Sequence, residues 1–299
     1  MSSQAGISVL VLTYQHSAYI AQCLEGILAQ EWDGPLQVVV ADDASTDDTA
    51  QTAQAIAAAN PCVELEVNAT NLGAAGNFEK ALRRCTHPLI AFCEGDDFWI
   101  WPGKLRAQAA QLNEYPEATL VYTDYCKVDT DGVVLQERVL EPQPERFGIA
   151  DLAVGHGPST NTVMLRRSIF PKRFPKAFFE VPNPDVFIFG WALSKGHGRY
   201  IDQVGSAYRL HPGGVWSSLH PVEKRLVRLT THLAVLEHLG AAATGDYAAR
   251  LKAELSTAME KLARTGDPLY AKYAGHLSRL NRWILRYKIG KQKLRNLLP

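Results

Sequence analysis

Residues Leu36–Thr49 read LQVVVADDASTDDT, and this stretch decides the fold. An apolar, β-branched run stops at two carboxylates, Asp42 and Asp43. Ser45 and Thr46 then open an alanine-rich segment with helical spacing that reaches Ala59. A strand of this kind delivers acid at its carboxyl end, and the helix returns along the sheet. The same alternation extends on both sides. Ile7–Thr13, Val63–Val67, Pro88–Cys93 and Thr119–Tyr122 are short apolar runs. Between them, Ile20, Leu24, Ile27 and Leu28 share a helical face, as do residues from Phe78 to Leu82 and from Leu105 to Leu112. Near-continuous apolar strands alternating with amphipathic helices predict an α/β fold, a Rossmann-like and mostly parallel sheet with helices on both faces.

Past residue 126 the pattern changes. Asp131-Gly132 marks a turn between two short strands. Thr160–Leu165 and Gly198–Leu210 read as extended, and Asp185–Ser194 as a helix. Beyond Pro221 the spacing is helical, broken at 240–245 and 266–268. The predicted organisation is one α/β domain over residues 1–217, followed by a helical C-terminal region over 218–299.

Composition narrows the function. The chain has 299 residues, 46% hydrophobic and 21% charged, as expected of a folded protein with a sizeable core. Its 31 basic and 31 acidic side chains cancel, but unevenly. Eight basic residues and no acidic one follow Asp267, which leaves a body of net −8 and a tail of net +8. The opening MSSQAGIS lacks a secretory signal, and the longest apolar runs, VLVL and LIAFC, are too short to span a membrane. Cys23, Cys62, Cys85, Cys93 and Cys126 are odd in number and contain no C-x-x-C pair, so free thiols are expected rather than a disulfide frame or zinc site. A cytosolic protein is the expectation.

Ligands of open parallel sheets gather at the carboxyl ends of the strands. Here that edge carries Asp42-Asp43 after the second strand and Glu94-Gly95-Asp96-Asp97 after the fourth. Clustered carboxylates repel one another and call for a cation or shifted pKa values; hard oxygen ligands suit Mg²⁺ or Mn²⁺. Each pair also has a plainer reading, Asp42-Asp43 as a helix cap before Ser45-Thr46 and Asp96-Asp97 as a polar turn. No G-x-G-x-x-G follows the first strand and no P-loop motif occurs, so positive charge for a phosphate would have to come from a metal.

Together, Ile7–Tyr14 (ISVLVLTY), Val39–Thr49 (VVADDASTDDT), Asn71–Gly73 (NLG), Cys93–Trp99 (CEGDDFW) and Tyr208–His211 (YRLH) resemble family 2 glycosyltransferases of the GT-A fold, in order and spacing, over roughly residues 6–217. The resemblance implies a nucleotide-sugar half over about 1–125 and an acceptor half over about 126–217. It implies that Thr13 and Asp43 hold base and ribose, with Tyr14, Gln15, Asp42, Asn71 and Gly73 alongside. Asp96 and Asp97 stand where the family's D-x-D element meets ribose, metal and diphosphate, with Glu94 replacing the first aspartate. His211, before Pro-Gly-Gly-Val-Trp-Ser, lies in a segment similar to the loop that closes over the diphosphate. The implied metal set is Asp96, Asp97 and His211, binding Mn²⁺ or Mg²⁺. Asp185, in Val181-Pro-Asn-Pro-Asp-Val, matches the acceptor-side aspartate that acts as base.

The expected function is an inverting, metal-dependent and non-processive transfer of one sugar from a UDP- or dTDP-sugar to a saccharide or lipid-linked saccharide, in surface polysaccharide or glycoconjugate synthesis. Two other readings stay open, a sugar nucleotidyltransferase and a non-catalytic scaffold of the same fold. In the tail, Tyr273, Leu277, Leu280, Ile284 and Tyr287 form one helical stripe, and Arg279, Arg282 and Arg286 another. Such a helix suits an anionic membrane surface, peripheral at its inner face, or packing on the domain. Nucleic acid is not expected, because no reader motif accompanies the basic residues.

Overall fold

The strand ISVLVLT is buried along both faces, with Ile7, Val9 and Val11 on one side and Ser8 and Leu10 on the other. A strand without a polar face needs covering layers above and below, and the rest of the chain supplies them. The computed structural model describes residues 4–140, 142–152, 157–214, 219, 221–239 and 245–265. In chain order its elements are β1 (Ile7–Thr13), α1 (Ile20–Leu28), β2 (Leu36–Asp42), α2 (Thr49–Ala59), β3 (Val63–Val67), α3 (Gly73–Leu82), β4 (Leu89–Glu94), β5 (Phe98–Trp99), α4 (Lys104–Glu114), β6 (Ala118–Val128), β7 (Val134–Gln136) and β8 (Arg146–Phe147). There follow α5 (Ile149–Leu152), β9 (Val163–Arg166), α6 (Lys176–Glu180), α7 (Pro184–Leu193), β10 (His197–Arg209), α8 (Pro221–Leu239) and α9 (Gly245–Thr265).

Two compact units emerge. The first comprises residues 1–147, 158–175 and 195–214; the second comprises 148–157, 176–194 and 215–299. All ten strands lie in the first unit, in the order β3-β2-β1-β4-β9-β6-β10-β5, with β7 beside β6 and β8 beside β10. The β3-β2-β1-β4 half is parallel throughout, as the strand–helix alternation predicts. β9 enters antiparallel between β4 and β6, while β6 and β10 are again parallel. Register aligns the carboxyl ends: Thr13 lies beside Asp42, and Leu12 beside Glu94. The acidic strand ends therefore share one edge with the end of β1.

One face of this sheet packs Ile7, Val9 and Val11 with Ile20, Cys23, Leu24 and Ile27 of α1 and Leu105, Ala109 and Leu112 of α4. The other packs aromatics, with Phe78 of α3 edge-on to Phe92 at 5.5 Å and to Phe174 at 5.9 Å. All five cysteines are free thiols, as the sequence predicts. The expected turn at Asp131-Gly132 joins β6 to β7, where Gly132 takes the left-handed conformation at φ 85°.

The described residues of the second unit form the helices α5 to α9, without β9 and β10. Gly190 of α7 allows close approach of α8, since a Cβ there would lie 2.7 Å from Val235 Cγ1. Tyr247 of α9 and His232 of α8 form a buried hydrogen-bonded pair at 2.8 Å. Among the described residues no helix is long and apolar enough to cross a membrane. The expected break at 266–268 and the basic amphipathic tail lie outside the described residues.

Candidate active site

The end of β2 is folded by its own acids. Asp42 accepts the Ser45 N–H at 2.9 Å and the Ser45 hydroxyl at 2.5 Å, closing a turn in which Ala44 takes φ 62°. Asp43 accepts the Asn68 amide at 2.9 Å and the Leu72 N–H at 2.8 Å through the same oxygen, Oδ1. Neither carboxylate caps the helix, because α2 starts later, at Thr49. Near that helix start it is Asp47 that accepts from Thr49 and from the Ser17 N–H. Burial pushes the Asp47 carboxyl up, but these hydrogen bonds outweigh it and hold it at about 2.

Asn71 and Gly73 join the same network. The Asn71 amide donates to the Asp43 carbonyl at 3.2 Å, and the Gly73 N–H donates to Asn71 Oδ1 at 3.0 Å. Gln15 is left-handed at φ 59°; its Oε1 accepts the Thr46 and Asp47 N–H groups, tying the loop after β1 to the loop after β2. Tyr14 is exposed, whereas Thr13 is buried and its Oγ1 has no hydrogen-bond partner. Thr13, Tyr14, Gln15, Asp42, Asp43, Asn71 and Gly73 thus gather at the carboxyl ends of three neighbouring strands.

The two acids after β4 part company. Asp96 Oδ2 lies 3.0 Å from His211 Nε2 and 3.7 Å from His16 Nε2. These three side chains offer ligand atoms that all lie within 4.8 Å of one another. The His16 and His211 rings stand nearly perpendicular, and Tyr19 packs 5.0 Å from His211. Asp97 does not share this cluster. It is 2% exposed, and its Oδ1 accepts the Arg209 N–H at 2.8 Å.

The charges follow these surroundings. Burial raises the Asp96 carboxyl, but the His211 hydrogen bond and the nearby His16 outweigh it and hold Asp96 below its usual range. For Asp97 burial dominates, and the charges of Asp96 and Glu94 add to it, pushing the group well above its usual range. Burial also lowers His16, which favours the neutral ring that a metal ligand requires.

Arg209 was not singled out by sequence reasoning, and neither was His16. Arg209 donates through Nε to the Asp96 carbonyl at 2.9 Å, through one terminal nitrogen to the carbonyls of Asp129 and Thr130, and through the other to Gln22. Its guanidinium also lies over the rings of Tyr19 and Phe98. One buried cation therefore ties the β4–β5 turn, the β6–β7 turn and α1 to the end of β10. Its signal in the sequence was present but slight, as the residue between Tyr208 and Leu210-His211. Asp185 is the second residue of α7, behind Pro184 at the first helical position, in the second unit.

Comparison with known proteins adds the lineage. The sequence model for glycosyl transferase family 2 matches residues 8–174, more than half of the chain. The chain belongs to glycosyl transferase family 2. An uncharacterized protein of Mycobacterium tuberculosis is 27% identical over 232 residues, which cover 76% of this chain and 65% of that protein. The chain thus spans a little under two thirds of that relative's length. WfaP of Escherichia coli, a UDP-Glc:α-D-GlcNAc-diphosphoundecaprenol β-1,3-glucosyltransferase, is 24% identical over 211 residues, or 70% of this chain and 79% of WfaP.

Among solved structures, residues 1–349 of Staphylococcus aureus TarS in complex with UDP-GlcNAc superpose with a TM-score of 0.60 at 18% identity, covering 95% of this chain and 92% of that one. The mannosyltransferase PcManGT of Pyrobaculum calidifontis, in complex with GDP-Man and Mn²⁺, gives 0.59 at 18% identity, covering 96% and 88%. At such identities the likeness shows the fold, and the fold is GT-A.

Proposed function

We propose that this family 2 member transfers a single sugar, with inversion, from a nucleoside diphosphate donor, UDP- or dTDP-linked, to a saccharide or lipid-linked saccharide. The observation that carries this reading is the shared edge. Thr13, Asp43 and Asn71 line the ends of β1 to β3 beside Asp96 and His211 at the ends of β4 and β10. Support comes from the relatives as well, since TarS and PcManGT are seen with nucleotide-sugars and WfaP is named for a lipid-diphosphate acceptor.

In this reading Thr13, Tyr14, Gln15, Asp42, Asp43, Asn71 and Gly73 shape the base and ribose pocket. Asp43 does so with a carboxylate already fixed by Asn68 and Leu72. Asp96 and His211 hold a divalent cation, Mn²⁺ or Mg²⁺, and Asp97 supports them from behind. The donor set fits such an ion, a carboxylate and an imidazole converging at 3.0 Å near the end of a strand. When bound, the ion offsets the diphosphate charge and favours departure of the nucleotide. An acceptor hydroxyl is a weak acid, so a carboxylate within hydrogen-bond reach must take its proton as the new bond forms; we assign this to Asp185. Attack from the face opposite the leaving diphosphate inverts the anomeric centre. The basic tail, residues 272–299, would hold the enzyme at an anionic membrane surface where a lipid-linked acceptor resides.

The test is a donor screen read by nucleotide release, with UDP and dTDP titrated calorimetrically in the presence of Mn²⁺. Asp185→Asn is expected to lower kcat by roughly 10²–10⁴-fold while nucleotide affinity stays within about twofold. Asp96→Ala is expected to lose metal-dependent binding. Absence of nucleotide release from every UDP-, dTDP- and GDP-sugar overturns the enzyme reading in favour of a scaffold.

A further inference from the structure

The structure assigns His16 as a third metal ligand, making the cation site a two-histidine, one-carboxylate set, with Asp97 as the residue that positions it. This inference rests on the proposed metal requirement and specifies which residues of the chain meet it.

The geometry comes first. Two imidazole nitrogens approach one carboxylate oxygen, His211 Nε2 at 3.0 Å and His16 Nε2 at 3.7 Å from Asp96 Oδ2. Ligands at about 2.1 Å from a small divalent ion, separated by angular steps of about 90–110°, lie roughly 3.0–3.4 Å apart. The His211–Asp96 separation of 3.0 Å meets that range, and the His16–Asp96 separation of 3.7 Å exceeds it by about 0.3 Å, a shift within reach of a side-chain rotation. A hydrogen bond between Asp96 and His211 alone would not require a second imidazole there, whereas an ion meets all three groups at once.

The backbone that carries His16 is also held in place. The His16 main-chain N–H donates to Thr49 Oγ1 at 2.8 Å, and the His16 carbonyl accepts from the Tyr19 and Ile20 N–H groups at 2.9 Å, where α1 begins. His16 thus joins the loop after β1 to the helix after β2. Its Nδ1 is buried without a hydrogen-bond partner, which leaves Nε2 as the nitrogen facing Asp96. His211 follows the end of β10, where Asp97 holds the Arg209 N–H. Asp97 thereby acts on the ion through Arg209 and the chain leading to His211.

The ligand types decide the metal. Mg²⁺ favours an all-oxygen shell and keeps its waters, while divalent transition metals accept imidazole with an affinity that is least at Mn²⁺ and rises toward Cu²⁺. A site of two imidazoles and one carboxylate should therefore prefer Mn²⁺ and Co²⁺ to Mg²⁺. His16→Asp replaces one nitrogen ligand by oxygen and should shift the preference toward Mg²⁺.

The experiment measures Mn²⁺ binding by the full chain in the presence of UDP, by calorimetry, with pulsed EPR counting the imidazole nitrogens on the ion. The wild type is expected to show two imidazoles, and both His16→Ala and His16→Gln one. Each variant should weaken Mn²⁺ by at least about tenfold, since even loss of a residue that only orients a ligand costs that much. Unchanged thermal unfolding of His16→Gln shows that the fold is intact. His87→Ala, at the opposite end of β1, should behave as wild type. If Mn²⁺ binds the wild type with a single imidazole, or binds His16→Gln as tightly, His16 is not a ligand and the metal-dependent reading stands without it. If the wild type binds no Mn²⁺ with UDP present, the inference and the metal requirement fall together.

Discussion

At the scale of single residues the site depends on one missing side chain. Gly95 is pinned by its N–H to the Leu12 carbonyl at 2.8 Å. A Cβ there would lie 2.6 Å from Thr13 Oγ1, 2.8 Å from Thr13 Cβ and 3.0 Å from His16 Nδ1. Thr13 is the last residue of a buried strand and cannot yield, and the loop carrying His16 is tied to Thr49. Gly95→Ala is therefore expected to cost about 1–3 kcal/mol of stability by overpacking. It should also weaken UDP and Mn²⁺ binding together, as read by urea unfolding and calorimetry. Gly132→Ala is the contrast. Its φ of 85° strains any side chain, but no atom lies closer than 3.9 Å to the added carbon, so stability should fall with nucleotide affinity unchanged. Equal loss of affinity in both variants would show a general loosening instead.

The same turn explains what could be read from the sequence. Asp42, Asp43, Asp96 and Asp97 were legible because acids at successive strand ends of a parallel sheet share an edge by topology, whereas His211 was implied only by the resemblance of Tyr208–His211 to the family. That Asp96 meets the histidines while Asp97 takes the Arg209 N–H was not legible, since adjacent residues of a turn diverge through backbone angles no spacing rule supplies. His16 was invisible for a related reason. A histidine in a polar loop carries no periodicity, and it gains meaning only once β1 lies beside β4 and β10 returns to the same edge.

At the scale of elements, α4 shows how a helical face can mislead. Leu105 to Leu112 gave the helix, but the buried stripe also includes Lys104 and Gln108. Lys104 is fully buried; its Nζ donates to Gln108 Oε1 at 2.9 Å and lies 4.1 Å from the centre of the Trp99 ring. Gln108 in turn donates to the carbonyls of Val121 and Thr162, so the pair links α4 to β6 and to the turn before β9. A lysine at a helix start normally reads as solvated, which is why the pattern did not show it. The two-residue β5 escaped definition likewise, because so few residues establish no period of two, whereas the extended stretch expected at Thr160–Leu165 overlaps β9.

Burial lowers the Lys104 pKa from 10.5 to about 7. Between those values the unfolded chain binds more protons than the folded one. Stability from this group therefore rises with pH across the window and is lost as pH falls toward 7. Lys104→Met, similar in length and without charge, should be more stable than wild type at pH 7. Its advantage should shrink by at most about 1.4 kcal/mol per pH unit as the pH rises. Urea unfolding of both proteins at several pH values measures the difference, and a constant difference would place the Lys104 ammonium in a solvated or paired setting.

At the scale of the whole molecule the zero net charge separates into two parts. The 31 acidic residues outnumber the 23 basic ones before residue 268, and eight basic residues follow. Part of the acidic excess is committed to the sheet edge, where Asp42, Asp43 and Asp47 fold loops and Asp96 faces imidazoles. In the tail's sequence Tyr273, Leu277, Leu280, Ile284 and Tyr287 would form one helical stripe and Arg279, Arg282 and Arg286 another, the pattern of segments that lie on lipid. Near an anionic surface each basic side chain contributes about 1 kcal/mol, and salt screens the attraction within a Debye length. Neutral vesicles should therefore bind weakly and anionic ones strongly at low salt. The full chain is expected to sediment with vesicles of equal phosphatidylcholine and phosphatidylglycerol and to be released by salt. A chain lacking residues 272–299 should stay in solution while binding UDP and Mn²⁺ as before. Equal sedimentation of the truncated chain would move the lipid contact to the body, whose net negative charge makes it the poorer candidate. Loss of UDP binding on truncation would instead assign the tail to the stability of the domain.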